Sequence, residues 1–134
     1  MDETHYTLMF DGGSRGNPGK CGCGFIILND VIVVHEGYEL VSDNNTNNFA
    51  EYMALILGLE LAIKNNIKIL HIIGDSMLVV NQLTGKWKVH SDNIKPLFNK
   101  ANKLLKSFEF VTLKHVKRDK NKLADALANK AMDN

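Results

Sequence analysis

The order of apolar runs constrains this chain more than any other feature. Residues 5–10 (His-Tyr-Thr-Leu-Met-Phe) form a strand-like run, and residues 22–28 and 31–40 form two more. A tight hairpin at Asn29-Asp30 is expected to join the latter two. After them the pattern changes. Residues 49–64 are rich in Ala, Glu, Met and Leu and are apolar around most of the circumference, as in a helix buried on more than one side. Residues 67–73 read as a buried strand, and Ser76 to about Leu83 as a short helix ending near Gly85. Residues 93–107 suit an amphipathic helix with Ile94, Leu97, Ala101, Leu104 and Leu105 turned inward and Pro96 tolerated in the first turn. A last strand over 109–115 and a helix over 121–132 follow. Short connections produce antiparallel neighbours, whereas helical crossovers produce parallel ones. The order therefore predicts a mixed sheet with helices on its faces. With no internal repeat and no linker, a single domain over 1–134 is expected.

Two polar segments interrupt this pattern. Residues 11–19 (Asp-Gly-Gly-Ser-Arg-Gly-Asn-Pro-Gly) are expected to break regular structure. Residues 42–48 read as a loop rich in helix-capping types.

Composition removes several classes of function. No cationic leader precedes a short apolar run, and no stretch approaches the roughly 18 apolar residues of a membrane span. Cys21 and Cys23 stand two apart along a strand, a poor geometry for a disulfide, and no second Cys/His pair completes a zinc site. Reduced packing cysteines and a cytoplasmic location are the expectation. The net charge of +1 is uninformative, but its distribution is not. Residues 1–85 hold 4 Lys/Arg against 10 Asp/Glu, and residues 86–134 hold 12 against 5. An acidic metal-binding side beside a basic phosphate-binding side would produce this asymmetry, as would a lysine-studded solvated helix.

Four acids occupy telling places. Asp11 follows an apolar strand and precedes a double glycine; Glu51 lies near the start of the apolar helix; Asp75 follows a strand through Gly74; Asp125 interrupts the apolar stretch Leu123–Ala128. Taken singly they are equally a turn residue, a helix-dipole partner, an N-cap and a surface acid. Taken together they are hard oxygen ligands without His or Cys partners, which suits Mg²⁺, with Mn²⁺ able to substitute. Such a cluster can hold two ions roughly 3.5–4 Å apart that clamp a phosphodiester.

Four segments then match one family in order and spacing. Phe10-Asp11-Gly12-Gly13-Ser14-Arg15-Gly16-Asn17-Pro18-Gly19 resembles the opening motif of type 1 ribonucleases H. Thr46-Asn47-Asn48-Phe49-Ala50-Glu51 resembles the second motif and Gly74-Asp75-Ser76 the third. The fourth is resembled by His115-Val116, Arg118, Asn121, Ala124-Asp125 and Leu127-Ala128. The resemblance covers essentially the whole chain. It implies an α/β fold, ribonuclease H-like, whose five-stranded mixed sheet has the order 3-2-1-4-5 and is flanked by helices. It implies a metal-dependent endonuclease, a monomer, that cuts the RNA strand of an RNA/DNA hybrid and leaves 5′-phosphate and 3′-hydroxyl ends. Asp11, Glu51, Asp75 and Asp125 match the family's metal-binding catalytic set, and His115 its mobile histidine.

For the hybrid, the resemblance implies contacts from Gly12, Gly13, Ser14, Asn17, Thr46, Asn47 and Asn48, with Met77 lining the RNA minor groove. Asparagine both donates and accepts, so it suits the 2′-hydroxyl that separates RNA from DNA. Arg118 and Asn121 are placed to reach phosphates, and Trp87 to stack on a sugar or base. The chain also departs from the family. Gly85-Lys86-Trp87-Lys88-Val89-His90 runs almost directly into the next helix, so the basic protrusion of many members is missing. Position 44 is Asn where some relatives place Arg. Two other readings use the same residues: a hybrid-binding module without chemistry, and a nuclease domain detached from a reverse transcriptase.

Overall fold

A computed structural model describes residues 3–133; Met1, Asp2 and Asn134, the ends of the expected domain, lie outside the described residues. Five strands form one sheet: β1 (His5–Arg15), β2 (Gly19–Asn29), β3 (Ile32–Asn45), β4 (Ile69–Gly74) and β5 (Phe110–His115). The helices are α1 (Asn47–Lys64), α2 (Met77–Leu83), α3 (Lys95–Leu105) and α4 (Lys122–Met132), with one 3₁₀ turn over Arg118–Lys120. The strand order is β3-β2-β1-β4-β5, as the resemblance implied. β1, β2 and β3 pair antiparallel, while β4 runs parallel to β1 and to β5. The short connections and the helical crossovers account for the two halves.

The core lies between one sheet face and α1. Leu8, Phe10, Cys23, Ile27, Leu70 and Ile72 from the sheet meet Tyr52, Leu55, Ile56 and Leu59 of α1, all fully or almost fully buried. α3 closes over α1 through the buried Ala101. α4 packs on the opposite face, against β1, β2 and β3.

The structure corrects three sequence expectations. The glycine-rich segment after Phe10 does not break the strand: β1 continues through Asp11, Gly12, Gly13 and Ser14 to Arg15, paired with Gly24 down to Lys20. Glycine in this strand marks close backbone approach rather than a turn. A Cβ at Gly12 would stand 2.1 Å from the Ala50 carbonyl oxygen, so α1 lies directly on this part of β1. Likewise β3 runs on through Ser42 to Asn45, because Cys21 and Gly19 continue to offer partners. The β2–β3 turn falls at Asp30-Val31, one residue later than expected, with Asp30 at φ 58°.

Candidate active site

The acidic residues arrive from separate elements. Asp11 stands on β1 beside Gly24 of β2, where the parallel β4 has just ended opposite Phe10. Glu51 lies in the second turn of α1. That helix begins where Thr46 Oγ1 accepts the Phe49 N–H at 3.1 Å, a capping bond that fixes its first turn. Asp75 occupies the step between β4 and α2, just before Ser76, whose Oγ accepts the Val79 N–H at 3.2 Å. One carboxylate oxygen from each of Asp11, Glu51 and Asp75 lies within 4.8 Å of the other two. Asp125, in the first turn of α4, stands outside that mutual distance, yet its carboxyl reaches Asp11.

Burial and mutual repulsion shape the electrostatics. Asp11 and Glu51 are 4% and 6% exposed, so their charged forms lose most of their hydration. Burial is the largest cause raising the Asp11 pKa, followed by the charge of Glu51, contact with Asp125 and the charge of Asp75. Glu51 is raised by burial and then by Asp75, against opposing pulls from the Gly12 N–H, Asp11 and Arg118. These acids cannot all ionise at neutral pH without a counter-charge. One Glu51 oxygen, Oε2, is buried with no hydrogen-bond partner among the described residues. An all-oxygen set with an orphaned carboxylate oxygen fits a hard divalent cation.

The remaining expected residues surround this cluster. The β4–β5 register sets His115, half-buried, opposite Gly74, the residue before Asp75. The Ser14 N–H donates to Asn47 Oδ1 at 3.2 Å, and the Asn47 N–H donates to Asn17 Oδ1 at 3.0 Å, tying the glycine segment to the start of α1. Gly13 follows Gly12 on the same strand. Asn17, Thr46, Asn48 and Trp87 share the wall of a cleft of about 750 Å³. Met77 is 55% exposed on α2, and Arg118 is exposed on the 3₁₀ turn.

Asn121 is a correction. It was expected to reach a phosphate, but it is fully buried, and its Nδ2 donates to the Phe10 carbonyl at 2.8 Å. The cap position of α4 folds it inward, so no substrate can touch it here.

Sequence reasoning also missed residues. Gln82 is buried, accepts the Tyr52 hydroxyl proton at 2.6 Å and donates to the Lys88 carbonyl at 3.3 Å. It thereby tethers the segment carrying Trp87 against the core. His90, Ser91 and Asn93 line the same cleft, and Asn93 Nδ2 donates to Asn45 Oδ1 at 3.1 Å. Only the polarity of Gln82 in an apolar helix hinted at any of this.

Known proteins are similar to this chain in sequence and in fold. The family described as reverse transcriptase-like matches residues 9–131. Ribonuclease HI of Halobacterium salinarum is 42% identical over 125 residues, which cover 92% of this chain and 62% of that protein. A crystal structure of RNase H1 from the same organism superposes with a TM-score of 0.92 at 39% identity, covering 96% of this chain and 98% of that one. The bifunctional protein Rv2228c of Mycobacterium tuberculosis is 40% identical over 92% of this chain and 34% of its own length. Its N-terminal RNase H domain superposes with a TM-score of 0.93 at 38% identity, covering 98% and 95% of the two chains. The chain thus spans about one third to just under two thirds of the length of these two proteins. LC11-RNase H1, isolated from compost and solved in complex with an RNA/DNA hybrid, superposes with a TM-score of 0.87 at 34% identity, each chain covered over 96%. With its four motifs in order, its strand order and its converging acids, this chain belongs to the type 1 ribonuclease H family.

Proposed function

We propose that this chain hydrolyses the RNA strand of RNA/DNA hybrids endonucleolytically, with two divalent ions, leaving 5′-phosphate and 3′-hydroxyl ends. The observation that carries the reading is the convergence of Asp11, Glu51 and Asp75 from three distant segments to within 4.8 Å. The LC11 homologue in complex with a hybrid supports the substrate.

Asp11, Glu51, Asp75 and Asp125 would hold the ions, Mg²⁺ with Mn²⁺ as substitute. When bound, such ions activate the attacking water and stabilise the charge on the leaving 3′ oxygen. The protein's own groups do the rest. The Gly12 N–H and Arg118 hold Glu51 toward its ionised form against its burial. His115, opposite Gly74 at the end of β5, offers an imidazole to carry a proton away or to ease release of product. Glycine-segment amides and the Ser14–Asn47–Asn17 chain present donors and acceptors to the hybrid minor groove, where the 2′-hydroxyls identify RNA. Met77 packs against that groove. Thr46 holds a DNA phosphate, Arg118 takes another, and Trp87 supplies a stacking face in the adjoining cleft. Lys86 and Lys88, beside Trp87, replace part of the missing protrusion.

The chain acts in this reading as a single catalytic domain and a monomer. The free, buried Cys21 and Cys23 suit a reducing compartment such as the cytoplasm. Among the described residues, no helix is long and apolar enough to cross a membrane.

The test is cleavage of end-labelled RNA/DNA hybrid, double-stranded RNA and double-stranded DNA in Mg²⁺, Mn²⁺ or EDTA, with the product ends mapped. Metal-dependent cutting confined to the RNA of the hybrid is expected. Tight hybrid binding with no cleavage in either metal would favour a binding module instead.

A further inference from the structure

The fourth carboxylate depends on how α4 is set against the sheet, and two kinds of contact set it. The first is close packing. A Cβ on Gly22 would stand 2.7 Å from the Ala128 carbonyl oxygen, and one on Gly24 would stand 2.3 Å from that of Ala124. The helix backbone therefore rests directly on β2. Glycine surfaces fix how near a helix comes, but they offer no side chain to resist sliding along its axis. The second kind is directional. At the far end of α4 an exposed Arg15 reaches the Asn129 carbonyl and pairs with Asp133. At the near end the link is Asn121.

Asn121 stands one hydrogen bond from each of two catalytic acids. Its Nδ2 donates to the carbonyl of Phe10, the peptide that leads into Asp11. Its own carbonyl accepts the N–H of Asp125 at 3.1 Å. The side chain is fully buried, and its Oδ1 has no partner among the described residues. A buried amide left half unsatisfied is unfavourable compared with an apolar side chain of similar size. What the chain gains in return is the one bond from Nδ2 to β1.

We propose that Asn121 is a positioning residue that sets the axial register of α4 on β1, and with it the place of Asp125 relative to Asp11, Glu51 and Asp75. It acts through those carboxylates and touches no substrate. The inference rests on the metal-dependent reading above, because Asp125 matters only if the four acids act together.

The experiment compares the full chain with Asn121→Ala and Asn121→Ser, and with the core variant Ile72→Val as a control remote from α4. Mn²⁺ affinity by calorimetry, thermal midpoint, kcat and KM are measured for each. Asn121→Ala is expected to weaken Mn²⁺ binding and lower kcat by roughly tenfold or more, as loss of a group that orients metal ligands does. KM for hybrid should stay within about twofold, since no substrate contact is lost. The serine variant, whose hydroxyl can still donate toward Phe10, should recover part of both losses. Ile72→Val should lower the midpoint while leaving Mn²⁺ affinity and kcat unchanged. Wild-type Mn²⁺ affinity in Asn121→Ala would overturn the proposal, and so would a rise in KM at constant kcat, which marks a substrate contact. If the parent chain binds Mn²⁺ but cuts no hybrid, the functional reading fails while the calorimetric comparison still decides the role of Asn121.

Discussion

Gly12→Ala adds one methyl group at the point where β1 and α1 come closest. The new Cβ would stand 2.1 Å from the Ala50 carbonyl oxygen, 2.2 Å from its carbon and 2.5 Å from the Glu51 nitrogen. Ordinary contact begins near 3.4 Å, so the backbone must part by more than 1 Å. No flexible side-chain end can yield here, because every obstructing atom belongs to the main chain. The displaced segment carries Glu51, whose ionised form the nearby Gly12 N–H favours. A misplacement of about 1 Å in a catalytic group can cost roughly 100-fold in rate. Forced overpacking costs about 1–3 kcal/mol, which is roughly 3–10 °C in thermal midpoint for a domain of this size. The assay is steady-state cleavage of hybrid in Mg²⁺, with calorimetric melting beside it. A kcat about 100-fold down, with a clear drop in midpoint, is expected. A Gly12→Ala protein that melts like the parent and keeps kcat within about twofold would refute the claim that backbone contact positions Glu51.

Other perturbations have equally definite outcomes. Asp11 and Glu51 both have folded pKa values above their ordinary ones, so the stability they contribute is complete below about pH 4 and is lost as pH rises through the folded values. In EDTA the midpoint should therefore fall from acid to neutral pH, and Asp11→Asn should flatten that fall and abolish cleavage. Mg²⁺ should restore the parent's neutral-pH stability more than the variant's. Thr46→Ala removes the cap bond to Phe49 and should cost about 1 kcal/mol by urea unfolding, with a rise in KM for hybrid. Trp87→Ala should raise KM about tenfold, because the residue is 47% exposed in the cleft wall and a stacked base contributes about 1–3 kcal/mol. Gly85→Ala should cost about 1 kcal/mol through its φ of 83° while leaving kcat intact, since its Cβ meets nothing within 4 Å.

Much of this protein was legible along the chain because the signals are local. The change from three closely spaced strands to alternating strand and helix implies the mixed sheet, since connection length decides whether neighbours run antiparallel or parallel. Thr46 and Ser76 announce helix starts that the structure contains, because a cap bond spans only three residues. Asp11, Glu51 and Asp75 were recognisable from their motifs and do converge. What the tertiary structure alone decided are matters of distance between segments remote in sequence. The glycines after Asp11 read as a break, yet they continue β1 because Ala50, nearly forty residues on, lies against them. Asn121 read as a surface ligand, yet it is buried because Phe10 offers it a carbonyl across 111 residues. Asp125 belongs to the acidic motif set, but its distance from the other three acids is decided in the fold, where α4 rests on Gly22 and Gly24 of β2 and Asn121 reaches Phe10 of β1. Local chemistry chooses the elements, while the fit of one backbone upon another chooses how far apart their carboxylates stand.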